Sequence, residues 1–165
     1  MKSSIACASA LLMLTGCGTV RIAAPPPRQA ALRLHAAPAL NKGPQGQSLA
    51  LVARIYRLRQ LAAFERASFD SLLNGSDLGH DLVEMREVTL VPGQRYEAVE
   101  KLEPDVAYIG VVGLFHAPGR HQWRLAFAAG EAVHSGVTVG LYGCSMSAGQ
   151  GARPTAATAD GGDCD

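Results

Sequence analysis

The chain of 165 residues has few aromatic residues, at 5%, and little net charge, at +1. Without a basic excess it offers no field that draws in nucleic acid. Apart from the run near Met1, no stretch approaches the roughly 20 apolar residues of a membrane-spanning helix. The sequence also lacks Gly-x-Ser-x-Gly, His-Glu-x-x-His and phosphate-loop motifs. These absences argue against nucleic-acid binding and against the common hydrolases, and they predict no cofactor.

The first 17 residues have the layout of a secretory signal. Lys2 precedes a short apolar run, 5–14, and small residues follow it. That run is too short to span a membrane, so cleavage after it is expected. Leu14-Thr15-Gly16-Cys17 resembles the bacterial lipobox, in which the cysteine is acylated and the peptide is cut just before it. We expect Cys17 to carry the lipid, and Gly18, which is not Asp, to favour the outer membrane.

The remaining chain divides into three parts by composition. Residues 17–30 contain Pro25-Pro26-Pro27 and read as a stiff tether. Residues 31–143 have the apolar content of one domain. Residues 144–165 are rich in Gly and Ala, which predicts a disordered tail. Removal of the signal peptide 1–16 takes away one cation, Lys2, so the net charge falls to zero.

Four cysteines are present, and two of them are assigned by the signal. Cys7 leaves with the signal peptide and Cys17 carries the lipid. Cys144 and Cys164 remain in an oxidising compartment, where a possible disulfide between them would persist. A bridge that closes about 20 residues stabilises by roughly 3 kcal/mol in the chain-entropy model. The alternative is that Cys164, in the tail, stays unbridged.

Alternation of apolar and polar residues predicts about seven strands and one helical stretch. Residues 61–73 switch to a helical period, as one helix or two short ones. Residues 108–115 are apolar almost throughout, as in a strand buried on both faces. Sequential strands with a single helical insertion predict an all-β fold, an antiparallel β-sandwich. The predicted strands lie at 32–36, 49–58, 83–90, 96–102, 108–115, 123–127 and 133–141.

Several polar and aromatic side chains have both a functional and a structural interpretation. Arg54 and Tyr56 share one strand face and form either a binding patch or a structural pair satisfied by Glu84 or Glu87. Trp123 is either an interface anchor or a core residue in step with the strand that follows it. The structural interpretation is favoured for both.

The histidines offer little for a metal site. His116 and His121 flank a turn, but no cysteine or carboxylate lies close to them in the sequence. A zinc site needs three or four ligands within tetrahedral reach. We therefore predict no metal centre.

An ordered set of segments between Leu32 and Val139 carries a family resemblance. They are Leu40-Asn41, Val52-Ala53-Arg54-Ile55-Tyr56-Arg57-Leu58, Phe64, Phe69, Leu78-Gly79-His80-Asp81-Leu82, Leu90-Val91-Pro92-Gly93, Ile109-Gly110-Val111-Val112 and Trp123-Arg124. With the lipobox upstream, the chain resembles the outer-membrane lipoprotein of the type VI secretion system, the TssJ family. The resemblance implies a transthyretin-like sandwich with helical additions, no enzymatic activity and no small-molecule substrate. It places the protein on the periplasmic face of the outer membrane, bound to the periplasmic C-terminal region of the inner-membrane protein TssM.

The resemblance also implies a partner-binding loop between the first two strands, here residues 38–47. Its candidate contact residues are Asn41, Lys42, Gln45 and Gln47. From composition alone this loop would be a solvated connector. It lacks an acidic residue, a departure from the family pattern, so we expect the chemistry of the contact to differ in detail. The alternative function is a periplasmic lipoprotein that binds another ligand or inhibits an enzyme.

Overall fold

The fold consists of two facing four-stranded sheets. The computed structural model describes residues 28–75 and 78–155. Sheet 1 has the order β4-β1-β7-β8 and sheet 2 the order β3-β2-β5-β6. The elements are β1 (Arg28–Ala36), β2 (Leu51–Leu58), α1 (Ala62–Arg66), α2 (Phe69–Leu73), a 3-10 turn (Gly79–Asp81), β3 (Leu82–Leu90), β4 (Arg95–Leu102), β5 (Tyr108–Gly113), β6 (Arg124–Ala128), α3 (Ala129–Ser135), β7 (Val137–Leu141) and β8 (Met146–Ala148).

The predicted β-sandwich is confirmed, with one exception to its antiparallel pairing. β1 and β7 pair in parallel, and Leu32 lies opposite Val137. The connection between β6 and β7 passes through α3, which carries the chain from sheet 2 to sheet 1. Parallel neighbours need a crossover of this kind rather than a hairpin.

Two apolar clusters hold the sheets and helices together. Alternate residues of β1 are buried, so its apolar face lies in the core between the sheets. β2 contributes Leu51, Ala53 and Ile55 to that core, whereas its Tyr56 and Leu58 lie in a second cluster beneath α1 and α2. Sheet 2 is therefore covered on both faces. β5 is buried from Ile109 to Gly113, as its continuous apolar sequence predicted.

The helical stretch is two short helices, one of the two forms expected. Each has five residues, and extended Ala67 separates them. The Ser68 hydroxyl accepts a hydrogen bond from Ser71 N at the start of α2, 3.1 Å long. The Asp81 carboxylate accepts one from Ala63 N, 3.0 Å long. Helices this short are marginal alone, so burial of a side chain from each in the second cluster stabilises them.

The predicted strand 133–141 was wrong in its first part. Val133 lies in α3, and β7 starts only at Val137. Ala129 and Ala132 are buried three residues apart, which is helical spacing. Gly136, at φ 71°, ends the helix in a conformation that favours glycine.

The tail prediction was wrong for residues 144–155. They form β8 and a segment that returns across the core, where Ala152 is 2% exposed. A Cβ on Gly151 would lie 2.5 Å from Gly136 O, so the close approach of the two backbones requires glycine. Pro154 then makes a β-bridge with Phe127. A composition rich in small residues serves close packing here rather than disorder.

β1 thus includes residues 28–30, which were predicted as tether, and the described residues continue to Thr155. The signal peptide, Cys17, most of the predicted tether and Cys164 lie outside the described residues. Within 28–75 and 78–155, the helices are all too short or too polar to cross a membrane.

Candidate partner-binding site

Three loops meet at the end of the sandwich where β1 finishes. They are the loop after β1 (residues 37–50), the loop after β5 (114–123) and the loop after β7 (142–145). Asn41 N donates to Tyr142 O over 2.9 Å, and Lys42 N donates to Gly143 O over 2.6 Å. His116 N donates to Asn41 Oδ1 over 2.7 Å. The predicted contact loop, 38–47, is therefore braced by both neighbours.

Asn41 is the residue that joins these loops. Its Nδ2 donates to Ala50 O over 2.7 Å, while its Oδ1 accepts from His116 N. It is 6% exposed and has φ 42°, in the left-handed region that asparagine tolerates better than most residues. Asn41 is one of the predicted contact residues. Its buried, internally bonded amide instead positions the loop.

The remaining candidate residues form a self-bonded turn at the loop tip. Lys42 Nζ donates to Gly46 O over 2.8 Å, and Gln47 Oε1 accepts from Gln45 N over 3.0 Å. Gly43 N also donates to Gln47 O over 2.9 Å. Gln45 and Gln47 are exposed and Lys42 is half-buried. The loop therefore presents two amides on a backbone that is already fixed, which reduces the entropy lost on binding.

Cys144 lies directly beside this loop. It is disulfide-bonded and 7% exposed, and it follows Gly143, whose carbonyl accepts from Lys42 N. Its expected partner, Cys164, lies outside the described residues, so the pairing stays a prediction. Whichever bridge Cys144 makes is fixed to the β7–β8 loop that braces the contact loop.

Arg54 and Tyr56 take the structural role that was favoured for them. Arg54 Nε lies 2.7 Å from Glu87 Oε1, one of the two carboxylates expected. Burial lowers the pKa of Arg54, but hydrogen bonds with Glu87 and Tyr56 outweigh it and raise that pKa above its usual range. Burial raises the pKa of Tyr56, and the Arg54 hydrogen bond opposes that rise. Glu84 pairs with Arg57 instead.

Trp123 also belongs to the packing of the fold. Its ring meets Phe69 edge-on at 5.2 Å between centroids, and it lies partly buried against both clusters. The Arg124 guanidinium carbon stands 4.8 Å from the Trp123 ring centroid. Arg124 has a structural role that no local sequence pattern predicts. It donates to carbonyls at the end of α1, and burial lowers its pKa.

The titratable side chains do not assemble into a metal site in the part of the chain that the structure describes. There, no group of three or more His, Cys, Asp or Glu residues stands close enough to hold an ion.

Comparisons with known proteins agree with this architecture. The family described as type VI secretion lipoprotein, VasD, EvfM, TssJ, VC_A0113 matches residues 28–144. The T6SS lipoprotein TssJ1 from Pseudomonas aeruginosa has 30% identity and a TM-score of 0.69, with 79% of this chain and 100% of that chain covered. No curated protein matches the chain.

Two further solved structures are similar in fold. Serratia marcescens Lip, described as a membrane bound component of the type VI secretion system, has 24% identity and a TM-score of 0.68, with 75% of this chain and 97% of that chain covered. A chain in the structure described as T6SS protein TssM C-terminal domain (869-1107) from EAEC has 23% identity and a TM-score of 0.66. The match covers 73% of this chain and 97% of that chain. At these identities the likeness shows the fold alone.

Proposed function

The chain belongs to the type VI secretion lipoprotein family that includes TssJ, a family of structural lipoproteins rather than enzymes, and from this premise we propose that it is a scaffold. In this proposal it tethers the periplasmic C-terminal region of TssM to the outer membrane. Cys17 carries the lipid, loop 38–47 binds TssM, and the chain performs no catalysis.

The observation that carries the proposal is the direction of β1. The chain that follows the lipobox joins β1 at Arg28, and the contact loop leaves β1 after Ala36. Nine strand residues at about 3.3 Å each place these two points roughly 30 Å apart, at opposite ends of the sandwich. An anchor on one end therefore leaves the loop facing away from the membrane that holds the lipid. A scaffold that reaches for an inner-membrane partner requires this arrangement.

The surface of the loop suits a protein contact better than chemistry. Gln45 and Gln47 expose amide groups, which donate and accept hydrogen bonds but do not titrate. The bracing by Tyr142 and Gly143 holds the loop in one conformation before any partner arrives. The description of one similar structure as a TssM domain supports the same partner, and that of another as membrane bound supports attachment to a membrane.

Calorimetry between the full-length protein in detergent and the TssM periplasmic C-terminal region tests the partner. The double substitution Gln45→Ala and Gln47→Ala is expected to weaken binding about tenfold, equivalent to about 1.4 kcal/mol. Gln29→Ala, an exposed glutamine near the start of β1, serves as the matched control and should leave affinity unchanged. Absence of binding at tens of micromolar would count against the proposed partner.

Membrane fractionation tests the anchor. Cys17→Ala is expected to release the protein from the outer membrane, because the domain then has no acyl chain to bury. Gly18→Asp is expected to retain the protein at the inner membrane. A Cys17→Ala protein that still fractionates with the outer membrane would refute lipid anchoring at this residue.

A further inference from the structure

The two sheets differ in what lies on their outer faces. Apolar residues of α1 and α2 pack on sheet 2. Sheet 1 instead carries two open clefts, of about 450 and 720 Å³, on its outer face. Both are lined by His35, Thr138 and Gly149, so they join into one groove along β1 and β7. We call it the sheet 1 groove and define it by Arg33, His35, Arg95, Thr138, Tyr142 and Ser147.

Small residues make the floor of this groove. Tyr142 lies over Gly140, since a Cβ there would stand 2.5 Å from the Tyr142 hydroxyl. Thr138 approaches Gly149 in the same way, at 3.0 Å. The Ser147 hydroxyl donates to the Tyr142 hydroxyl over 3.4 Å. The groove therefore offers hydroxyl groups and a flat backbone surface between strand edges rather than an apolar pocket.

The charged side chains that line the groove are basic, namely Arg33, His35 and Arg95. One carboxylate lies beside them, since exposed Glu97 is the β4 register partner of Arg33, but it is outside the lining and forms no ion pair with Arg33. On sheet 2, by contrast, Arg54 and Arg57 each pair with a carboxylate. Within the described ranges, Arg33 and Arg95 are exposed and make no ion pair. Two guanidinium groups are therefore available to bind an anion, although the net charge of the whole protein is almost zero.

The spacing of these cations matches an extended chain. Arg33 and His35 lie on one face of β1, two residues and about 7 Å apart. Arg95 on β4 is the register partner of His35. Alternate side chains of an extended peptide project at the same interval. Carboxylates at positions i and i+2 of such a peptide would meet the two arginines in turn.

We propose that the sheet 1 groove binds an extended acidic segment of a partner protein, with Asp or Glu at alternate positions. The groove follows the second half of β1, from Arg33 to the loop end, so it faces sideways and not toward the lipid. This choice of a protein segment over a membrane surface rests on the anchoring proposed above. The groove reaches Pro38 at the start of loop 38–47, but Arg33 and Arg95 lie outside that loop, so the two contacts can be tested by different substitutions.

Fluorescence anisotropy with the full-length protein at low ionic strength provides the test. The probe is a fluorescein-labelled peptide of alternating Glu and Ser, compared with its Gln and Ser counterpart. The Glu peptide should bind, and the double substitution Arg33→Glu and Arg95→Glu should weaken it about tenfold or more, because it reverses charge at both contacts. Arg66→Glu, on the exposed side of α1, should leave binding unchanged.

Several outcomes would overturn the proposal. If the Gln peptide bound as tightly as the Glu peptide, the groove would not recognise carboxylates. If Arg66→Glu weakened binding as much as the double variant, the effect would come from net charge alone. Binding of phosphatidylglycerol vesicles through Arg33 and Arg95, without peptide binding, would assign the groove to lipid. The TssM affinity of the double variant Arg33→Glu, Arg95→Glu distinguishes the two proposals. TssM should still bind this variant through loop 38–47, whereas the Glu peptide should no longer bind the groove.

Discussion

Arg54 and Arg124 lie on either side of Val112 in sheet 2, and each donates to the carbonyl end of a different helix. Arg54 Nη1 donates to the carbonyls of Leu72 and Leu73 in α2. Arg124 Nη1 donates to Phe64 O over 2.9 Å and, at the end of α1, to Ala67 O over 2.6 Å. One row of the sheet thus satisfies the unpaired carbonyls of both helices, where a positive charge is also favoured by the helix dipole.

Loss of either arginine should therefore destabilise the fold. Arg124→Ala leaves several partly buried carbonyls without a donor, and we expect the free energy of unfolding to fall by about 2–4 kcal/mol. Arg66→Ala, also on α1 but exposed, should change it by no more than about 0.5 kcal/mol. Urea unfolding of the variants measures both. An Arg124→Ala protein as stable as Arg66→Ala would mean that water replaces the guanidinium at no cost.

Gly110 allows the Phe64 ring to lie directly on β5. A Cβ at this position would stand 2.8 Å from the ring, whose centroid is 5.3 Å from that of Tyr56. Gly110→Val should cost about 1–3 kcal/mol of stability through overpacking. Gly130→Ala is the matched control, because nothing lies within 4 Å of its Cβ and it sits in a helix.

The close approach of Gly110 and Phe64 also predicts coupling between them. Phe64→Leu should be less harmful in a Gly110→Val background than alone, with an interaction energy of about 0.5–3 kcal/mol. Denaturant unfolding of the two single variants and the double variant gives this interaction energy. Additive losses would indicate that the ring already moves aside.

Asn41 should control the stability of the contact end and, through it, partner affinity. Asn41→Ala removes two hydrogen bonds, leaves His116 N without its acceptor and places alanine at φ 42°, so we expect a loss of about 2–4 kcal/mol. Gln45→Ala, at the exposed tip, should leave stability unchanged. Urea unfolding compares them. Equal stability of the two variants would show that Asn41 does not hold the loop.

The sequence was sufficient for most of the sandwich because its strands bury one face or both. Alternation in β1 and the continuous apolar run of β5 follow directly from burial. α3 was missed because seven residues with two buried alanines give almost no helical pattern. The segment 149–155 was missed because its glycine serves a contact between backbones distant in sequence, which no local pattern reports.

At the candidate site, composition identified a loop but not the roles within it. Asn41 and Gln45 both have amide side chains in one polar stretch, yet Asn41 is buried and Gln45 is exposed. Their difference depends on His116, 75 residues away from Asn41, whose backbone N–H needs an acceptor. The sheet 1 groove could not be predicted for the same reason, since only the pairing of β1 with β4 brings Arg95 opposite His35, two residues from Arg33.

Tyr56 should make stability depend on pH in the alkaline range. Burial raises its pKa above the ordinary value of 10.0, so the folded state keeps the phenol protonated while the unfolded chain ionises. The stability that the protonated phenol contributes is fully present below about pH 10, and it is lost as the pH rises through the pKa of Tyr56 in the folded state. Tyr56→Phe should therefore flatten the fall in unfolding free energy above pH 10. Parallel slopes in wild type and Tyr56→Phe would contradict this.

Cys144 should be bridged to Cys164, and the bridge should stabilise the contact end. A non-reducing digest is expected to yield one peptide that joins the two residues, and Cys164→Ser should lower the free energy of unfolding by about 3 kcal/mol. Reducing agent should have no further effect on that variant. Because Gly143, next to Cys144, accepts from Lys42 N, the same substitution should weaken TssM binding a few-fold. A digest that joins Cys144 to Cys17 would refute both the pairing and the acylation of Cys17.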